Sequence, residues 1–226
     1  MGRIAKSLII AIVVILFAFT AVLKTPLVKY PVSLFLSRCL KSDISIKKCG
    51  FSFTKGIKAS DVEIKNKKGL HCIIKNADIQ FDFLYLAKKG LGFNYSLKSV
   101  RFSYPASEVI NGIARLFAIE PTRLLEFDTV DGIVYIKPDE IVIKDLNAAG
   151  KDISLFANGT TTENKYINYA LKLILSESLT LKISENIRQF FFKKEQEHSI
   201  VELYLSGNVK KPSINFSTPL FKLRIK

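Results

Sequence analysis

From Ile44 onward, apolar and polar side chains alternate along most of the chain. The clearest run is Ala77 to Tyr85, where Ala77, Ile79, Phe81, Phe83 and Tyr85 take one parity and Asp78, Gln80 and Asp82 the other, broken only by Leu84. Side chains of a strand point to opposite faces with period two, so the run predicts a strand with one greasy and one wet face. The same reading predicts strands at Ile44–Ile46 and Phe51–Phe53 around Gly50, at Lys58–Lys65, at Ile73–Leu86 and at Tyr95–Tyr104. It continues through Phe127–Ile136, Glu140–Asn147, Ile153–Thr160 and Tyr166–Leu175, and closes with Val201–Leu205 and Ile214–Phe216.

A period near 3.6 appears in only a few places. Val32, Phe35, Leu36, Cys39 and Leu40 share a stripe behind Pro31, which predicts an amphipathic helix. Ile110, Ile113, Ala114 and Phe117 predict a second helix at Ser107–Phe117, weakened by Gly112. Ile187, Phe190 and Phe191 predict a third at Ser184–Lys194, with Lys193 and Lys194 suited to its C-terminal end. Pro138-Asp139, Ala149-Gly150 and Glu163-Asn164 read as turns. Connections this short join antiparallel neighbours. About ten strands at ~4.8 Å spacing make a sheet ~45–50 Å wide, which must curl, split or find a cover. Three short helices cannot cover it. The expected fold is therefore mainly β with few helices: a curled antiparallel meander forming an open groove, apolar inside.

Leu8 to Leu23 is an uncharged apolar run. As a helix it spans ~24 Å, a little short of a hydrocarbon core, and Arg3, Lys6 and Lys24 can snorkel across the remainder. A cleaved signal peptide is the rival, and Phe19 stands three residues before the candidate cut after Ala21, a poor fit. The reading favoured is a single-pass anchor with Leu8, Ile12, Leu16, Phe19 and Leu23 in the bilayer. Lysine and arginine on both flanks leave the orientation open. Three parts result: an anchor at 1–25, an amphipathic linker helix at 26–42 and a β-groove domain at 43–226.

Composition limits the chemistry. Hydrophobic residues make up 48% of the chain, enough for a large core. A net charge of +14 favours anionic partners, a lipid headgroup surface or a nucleic acid. The lysine pairs are scattered, mostly where turns are expected, so nucleic acid is not a predicted partner. Cys39, Cys49 and Cys72 fit no zinc or redox spacing; they read as small buried hydrophobes, and an oxidising compartment would permit a Cys39–Cys49 or Cys49–Cys72 bridge. His71 and Cys72 are neighbours in a strand and point to opposite faces, so they form no nucleophile–base pair. No phosphate loop, nucleophile elbow or metal-binding spacing occurs. The expectation is a protein without catalytic residues, metal or cofactor.

The order of elements resembles the AsmA-like family, with its TamB and YhdP relatives. The likeness is carried by Gly56-Ile57-Lys58-Ala59-Ser60-Asp61-Val62-Glu63-Ile64-Lys65-Asn66, by Asn76-Ala77-Asp78-Ile79-Gln80-Phe81-Asp82-Phe83 and by Leu97-Lys98-Ser99-Val100-Arg101-Phe102-Ser103-Tyr104-Pro105. Ile143-Lys144-Asp145-Leu146 and Leu205-Ser206-Gly207-Asn208-Val209-Lys210-Lys211-Pro212-Ser213-Ile214 continue it. These are patterns of strand and turn and carry no chemical signature. The resemblance implies a bacterial inner-membrane protein with its domain in the periplasm, acting in phospholipid passage or outer-membrane upkeep. It departs in size: a stub of this width would need self-association or another envelope protein to extend the groove.

On this reading acyl chains lie along Ile79, Phe81, Phe83, Tyr85, Val100, Phe102, Leu171, Leu173, Val201 and Leu203, held by apolar burial alone. The alternative expectation is an envelope assembly or scaffold protein that binds client strands at a sheet edge.

Overall fold

The computed structural model describes residues 29–30, 33–34, 37, 42–52, 56–66, 69–82, 85, 90–103, 125–195, 198–208, 211–217 and 222–225. The predicted anchor, with Leu8, Ile12, Leu16, Phe19 and Leu23, lies outside the described residues, as does the helix expected at Ser107–Phe117. Among the described residues no helix is long and apolar enough to cross a membrane. Of the linker helix, Lys29, Tyr30, Ser33, Leu34 and Ser37 are helical. Ser37 ties it to the sheet, accepting from the Ser42 amide at 3.2 Å through its carbonyl and from the Ile44 amide at 3.0 Å through its hydroxyl.

Among the described residues twelve strands form one open antiparallel sheet. The first eight follow in chain order: β1 (Asp43–Ser52), β2 (Gly56–Lys65), β3 (His71–Asp82), β4 (Leu91–Ser103), β5 (Leu125–Ile136), β6 (Glu140–Ala149), β7 (Ile153–Thr162) and β8 (Tyr166–Leu175). The chain then makes helices α1 (Glu177–Thr180) and α2 (Glu185–Phe191) and the short strand β9 (Lys193–Glu195). It rejoins the sheet beside β8 as β10 (His198–Asn208), followed by β11 (Lys211–Ser217) and β12 (Lys222–Ile225). Hairpin turns such as 137–139 and 163–165 force the antiparallel pairing; the Lys137 amide donates to the Glu140 carbonyl at 2.8 Å. Ser176 caps α1 by accepting the Leu179 amide at 3.3 Å.

Three expectations need correction. The short runs around Gly50 are one continuous strand, β1. The strand expected to reach Leu86 ends at Asp82, and Tyr85 is helical. The third helix stops at Phe191, because Phe192 turns extended (φ −111°, ψ 134°) and Lys193 opens β9. The lysine pair read as a helix end is instead half of a strand pairing, Lys193 opposite Ile200 and Lys194 opposite Ser199.

The first of these corrections has a cause that recurs across the sheet. In β1 the apolar side chains are Ile44 and Ile46, then Cys49 and Phe51, so the alternation slips by one at Lys47-Lys48. It slips in the same row at Ser60-Asp61 in β2, Lys75-Asn76 in β3, Lys98-Ser99 in β4 and Asp128-Thr129 in β5. The pairing ladder skips the matching positions: Lys47 and Asp61, Asp61 and Lys75, Lys75 and Ser99, Ser99 and Asp128. Asp61 (φ 51°) and Ser99 (φ 52°) take left-handed backbone there, as Asp145 (φ 52°) does at the slip between β6 and β7. Asn158 holds that last one, accepting the Asp145 amide at 2.7 Å. Irregularities of this kind bend a strand and increase its twist. Here they stand in one line across five strands. Lys47-Lys48 therefore belongs to the middle of a strand, and not to a turn as its charge suggested.

Candidate functional site

With the slips included, register assigns each side chain of β1–β8, β10 and β11 to a face. One face carries no Lys, Arg, Asp or Glu and is apolar apart from the hydroxyls of Thr161, Ser199 and the tyrosines. The other carries the charges, including the cross-strand pairs Lys58–Asp78 (2.9 Å), Arg101–Glu126 (3.1 Å) and Lys193–Glu202 (2.7 Å).

Burial on the apolar face is graded. It is deepest in the two rows flanking the line of slips. In one, Ile46, Val62, Ile74 and Val100 are buried; in the other, Cys49 and Ala77 are. Phe51, Phe81, Phe93, Tyr95, Val134 and Ile143 lie farther from the line and are half-buried. At the hairpin rim Leu91, Ile136 and Ile141 form one cross-strand row and are 46%, 39% and 42% exposed. On the opposite face the slip residues Lys47, Lys48, Asp61, Lys75, Ser99 and Asp128 are all exposed.

Two tyrosines on the apolar face lie low over the sheet. Tyr95 stands opposite Gly132, where an added Cβ would meet its hydroxyl oxygen at 2.6 Å. Tyr169 stands opposite Gly159, where an added Cβ would run into its ring and the Asn168 carbonyl. The Tyr169 and Thr161 hydroxyls satisfy each other at 2.7 Å. Burial, with the Asp131 charge second, pushes the Tyr95 hydroxyl above its ordinary pKa, so it stays neutral.

The two ends of the face differ. At β8, β10 and β11 the residues Leu175, Val201, Leu203, Ile214 and Phe216 are buried against Leu179, Ile183 and Phe192 of the α1–α2 segment. The rings of Phe191 and Phe216 meet edge-on, with centroids 5.4 Å apart. These helices cap that end of the face.

The predicted site residues distribute accordingly. Ile79, Phe81, Val100, Phe102, Leu171, Leu173, Val201 and Leu203 all lie on the apolar face. Val201 (1% exposed) and Leu203 (6%) are buried in the capped core, and Val100 (6%) is buried in the core cluster of β1–β4. Tyr85 is misassigned: it stacks on Tyr135 (centroids 4.2 Å) and abuts Gly92, both on the polar face, because the chain leaves strand geometry after Asp82. Phe83 lies outside the described residues. The sequence reading missed Phe93, Tyr95, Leu97, Val130, Val134 and Leu155. In β4 the slip at Lys98-Ser99 puts Tyr95 and Leu97 out of phase with Val100 and Phe102; a polar doublet inside an alternating run is the signal that would have found them.

Among the described residues no reactive constellation converges on either face. Cys49 and Cys72 are both free thiols, and burial raises the pKa of each. His71 bonds Glu63 at 2.8 Å; Lys65, and then His71, hold that carboxylate below its ordinary pKa. Among the described residues no group of three or more His, Cys, Asp or Glu could hold a metal. A depression of about 490 Å³ is lined by Lys58, Asn76, Asp78, Gln80, Asn94 and Lys98 of the polar face together with Ala59, Ala77 and Tyr95. No family model, curated protein or solved structure matches this chain.

Proposed function

We propose that this protein holds lipid acyl chains in a trough formed by the apolar face, as a membrane-anchored, non-enzymatic carrier of phospholipid in a bacterial envelope. The observation that carries the reading is a twelve-stranded sheet with one face free of charge, buried beside the line of slips, half-buried beyond it and exposed at the hairpin rim at Leu91, Ile136 and Ile141. A water-soluble fold keeps such a wall uncovered only at a cost of about 25 cal/mol for each Å² of apolar surface, which a bound hydrocarbon recovers. The aligned slips supply the shape. They bend successive strands about one line, with burial rising toward it on the apolar side and exposed charge along it on the other, as for a valley and its outer crest. The trough then runs across the strands, and headgroups stay in water at its mouth. The anchor at 1–25, the periplasmic placement and the likeness to the AsmA-like family belong to this same proposal.

The scaffold alternative has one supporting observation: β1 is a ten-residue strand at one end of the sheet order. Lys47-Lys48 and the slip at its centre work against strand addition there.

Binding of a fluorescent phospholipid tests the proposal. Val134→Asp and Leu155→Asp place a charge on the apolar face; Tyr204→Asp places one on the polar face, where Tyr204 is exposed. With circular dichroism confirming the fold of each variant, the first two should weaken binding at least about tenfold and the third should not. Equal binding by all three contradicts the proposal.

A further inference from the structure

Resting on the lipid-holding reading, we infer that the Tyr95 hydroxyl donates a hydrogen bond to the ester carbonyl of a bound acyl lipid, so that Tyr95 distinguishes ester-linked from ether-linked lipids. Over β1–β6 the apolar face carries no other side-chain oxygen among the described residues. The position of this one depends on the neighbouring strand. Tyr95 reaches across to β5, where Gly132 leaves it room: an added Cβ there would meet the hydroxyl oxygen at 2.6 Å and the ring carbon that bears it at 2.9 Å. Phe93 and Leu97 flank it on β4, and Val130 and Val134 flank Gly132 on β5, so the donor sits in an apolar surround.

Among the described residues the Tyr95 hydroxyl has no hydrogen-bond partner, and it is not one of the buried atoms left without one, which are Asp78 Oδ1 and Arg188 Nε. It therefore stands open to an incoming acceptor. Tyr169, the other tyrosine of this face, differs: its hydroxyl is already bonded to that of Thr161 at 2.7 Å. Burial, and then the Asp131 charge, keep the Tyr95 hydroxyl protonated, so it acts as a donor. The same surroundings select the acceptor. A carboxylate would bring a negative charge near Asp131, onto a face without Lys or Arg to balance it. A neutral ester carbonyl brings no charge and leaves its hydrocarbon to the flanking apolar side chains.

Displacement of a fluorescent phospholipid from the full chain in mild detergent tests the contact. The competitors are a diacyl and a dialkyl phosphatidylcholine of equal chain length, which differ only in the carbonyls. The parent should favour the diacyl lipid about fivefold, the share of one neutral hydrogen bond. Tyr95→Phe keeps the ring and should bind both competitors equally, with the parent's affinity for the dialkyl lipid. Tyr169→Phe removes a hydroxyl already bonded within the protein and should keep the parent's preference. No preference in the parent, a preference that survives in Tyr95→Phe, or one lost equally in Tyr169→Phe overturns the Tyr95 contact and leaves lipid holding intact. A parent chain that binds neither the probe nor the competitors overturns lipid holding itself.

Discussion

Tyr95 over Gly132 and Tyr169 over Gly159 show what single residues contribute: a glycine on the neighbouring strand lets each ring lie flat, which lowers the wall without breaking the sheet. Gly159→Ala should cost about 1–3 kcal/mol in urea unfolding, since ring and backbone must both move. Gly50→Ala, with nothing within 4 Å of the added carbon, should stay within about 0.5 kcal/mol of the parent. A second residue-scale effect is electrostatic. The Lys193 hydrogen bond, and then the general pull of nearby lysines against partial burial, holds Glu202 below its ordinary pKa. A lowered carboxylate pKa adds stability above the unfolded value of about 4.5, lost as pH falls through the folded value. Acidification below that point should therefore lower the amide protection factors of β9 and β10, each referred to the intrinsic exchange rate at that pH, and Glu202→Gln should flatten the dependence. The pair is part-exposed, so its effect stays under ~1 kcal/mol. None of these pairings was legible in the sequence, because partners such as Tyr95 and Gly132 are set by register across two strands.

At the scale of the element, strand positions were legible and strand faces only in part. Alternation located β2, β3 and β5–β8 with small end errors, because a half-buried strand writes its two faces directly into the chain. The line of slips defeated it at Lys47-Lys48, Lys75-Asn76 and Lys98-Ser99, where an added polar residue reads as an ordinary break. Ser99 is the cleanest place to test that line, since its left-handed backbone costs a side-chain-bearing residue about 1–2 kcal/mol. Ser99→Gly should melt at or above the parent temperature, whereas Ser99→Val should melt below it. The end of α2 was misread for a related reason. Lys193 looked like a helix C-terminus, while its partner Glu202, distant in sequence, draws it into β9.

Over the whole molecule, the two ends of one apolar face do different work. The β8–β11 end is a closed core under α1 and α2, whereas the β2–β7 run grades from buried residues beside the line of slips to half-buried and exposed ones toward the hairpin rim. Phe216→Ala, at 2% exposure, should therefore cost about 3–5 kcal/mol. Phe93→Ala, half-buried beside Phe81 at 5.4 Å, should cost under about 2 kcal/mol yet weaken phospholipid binding. This division was invisible in the sequence, where Leu171, Val201 and Phe81 follow the same alternation; only the path of 176–197 back over the sheet separates them. The most direct measurement is native mass spectrometry of the full chain released from mild detergent. Discrete phospholipid additions that disappear in Val134→Asp are expected. A folded chain whose mass is unchanged by added phospholipid would contradict the trough.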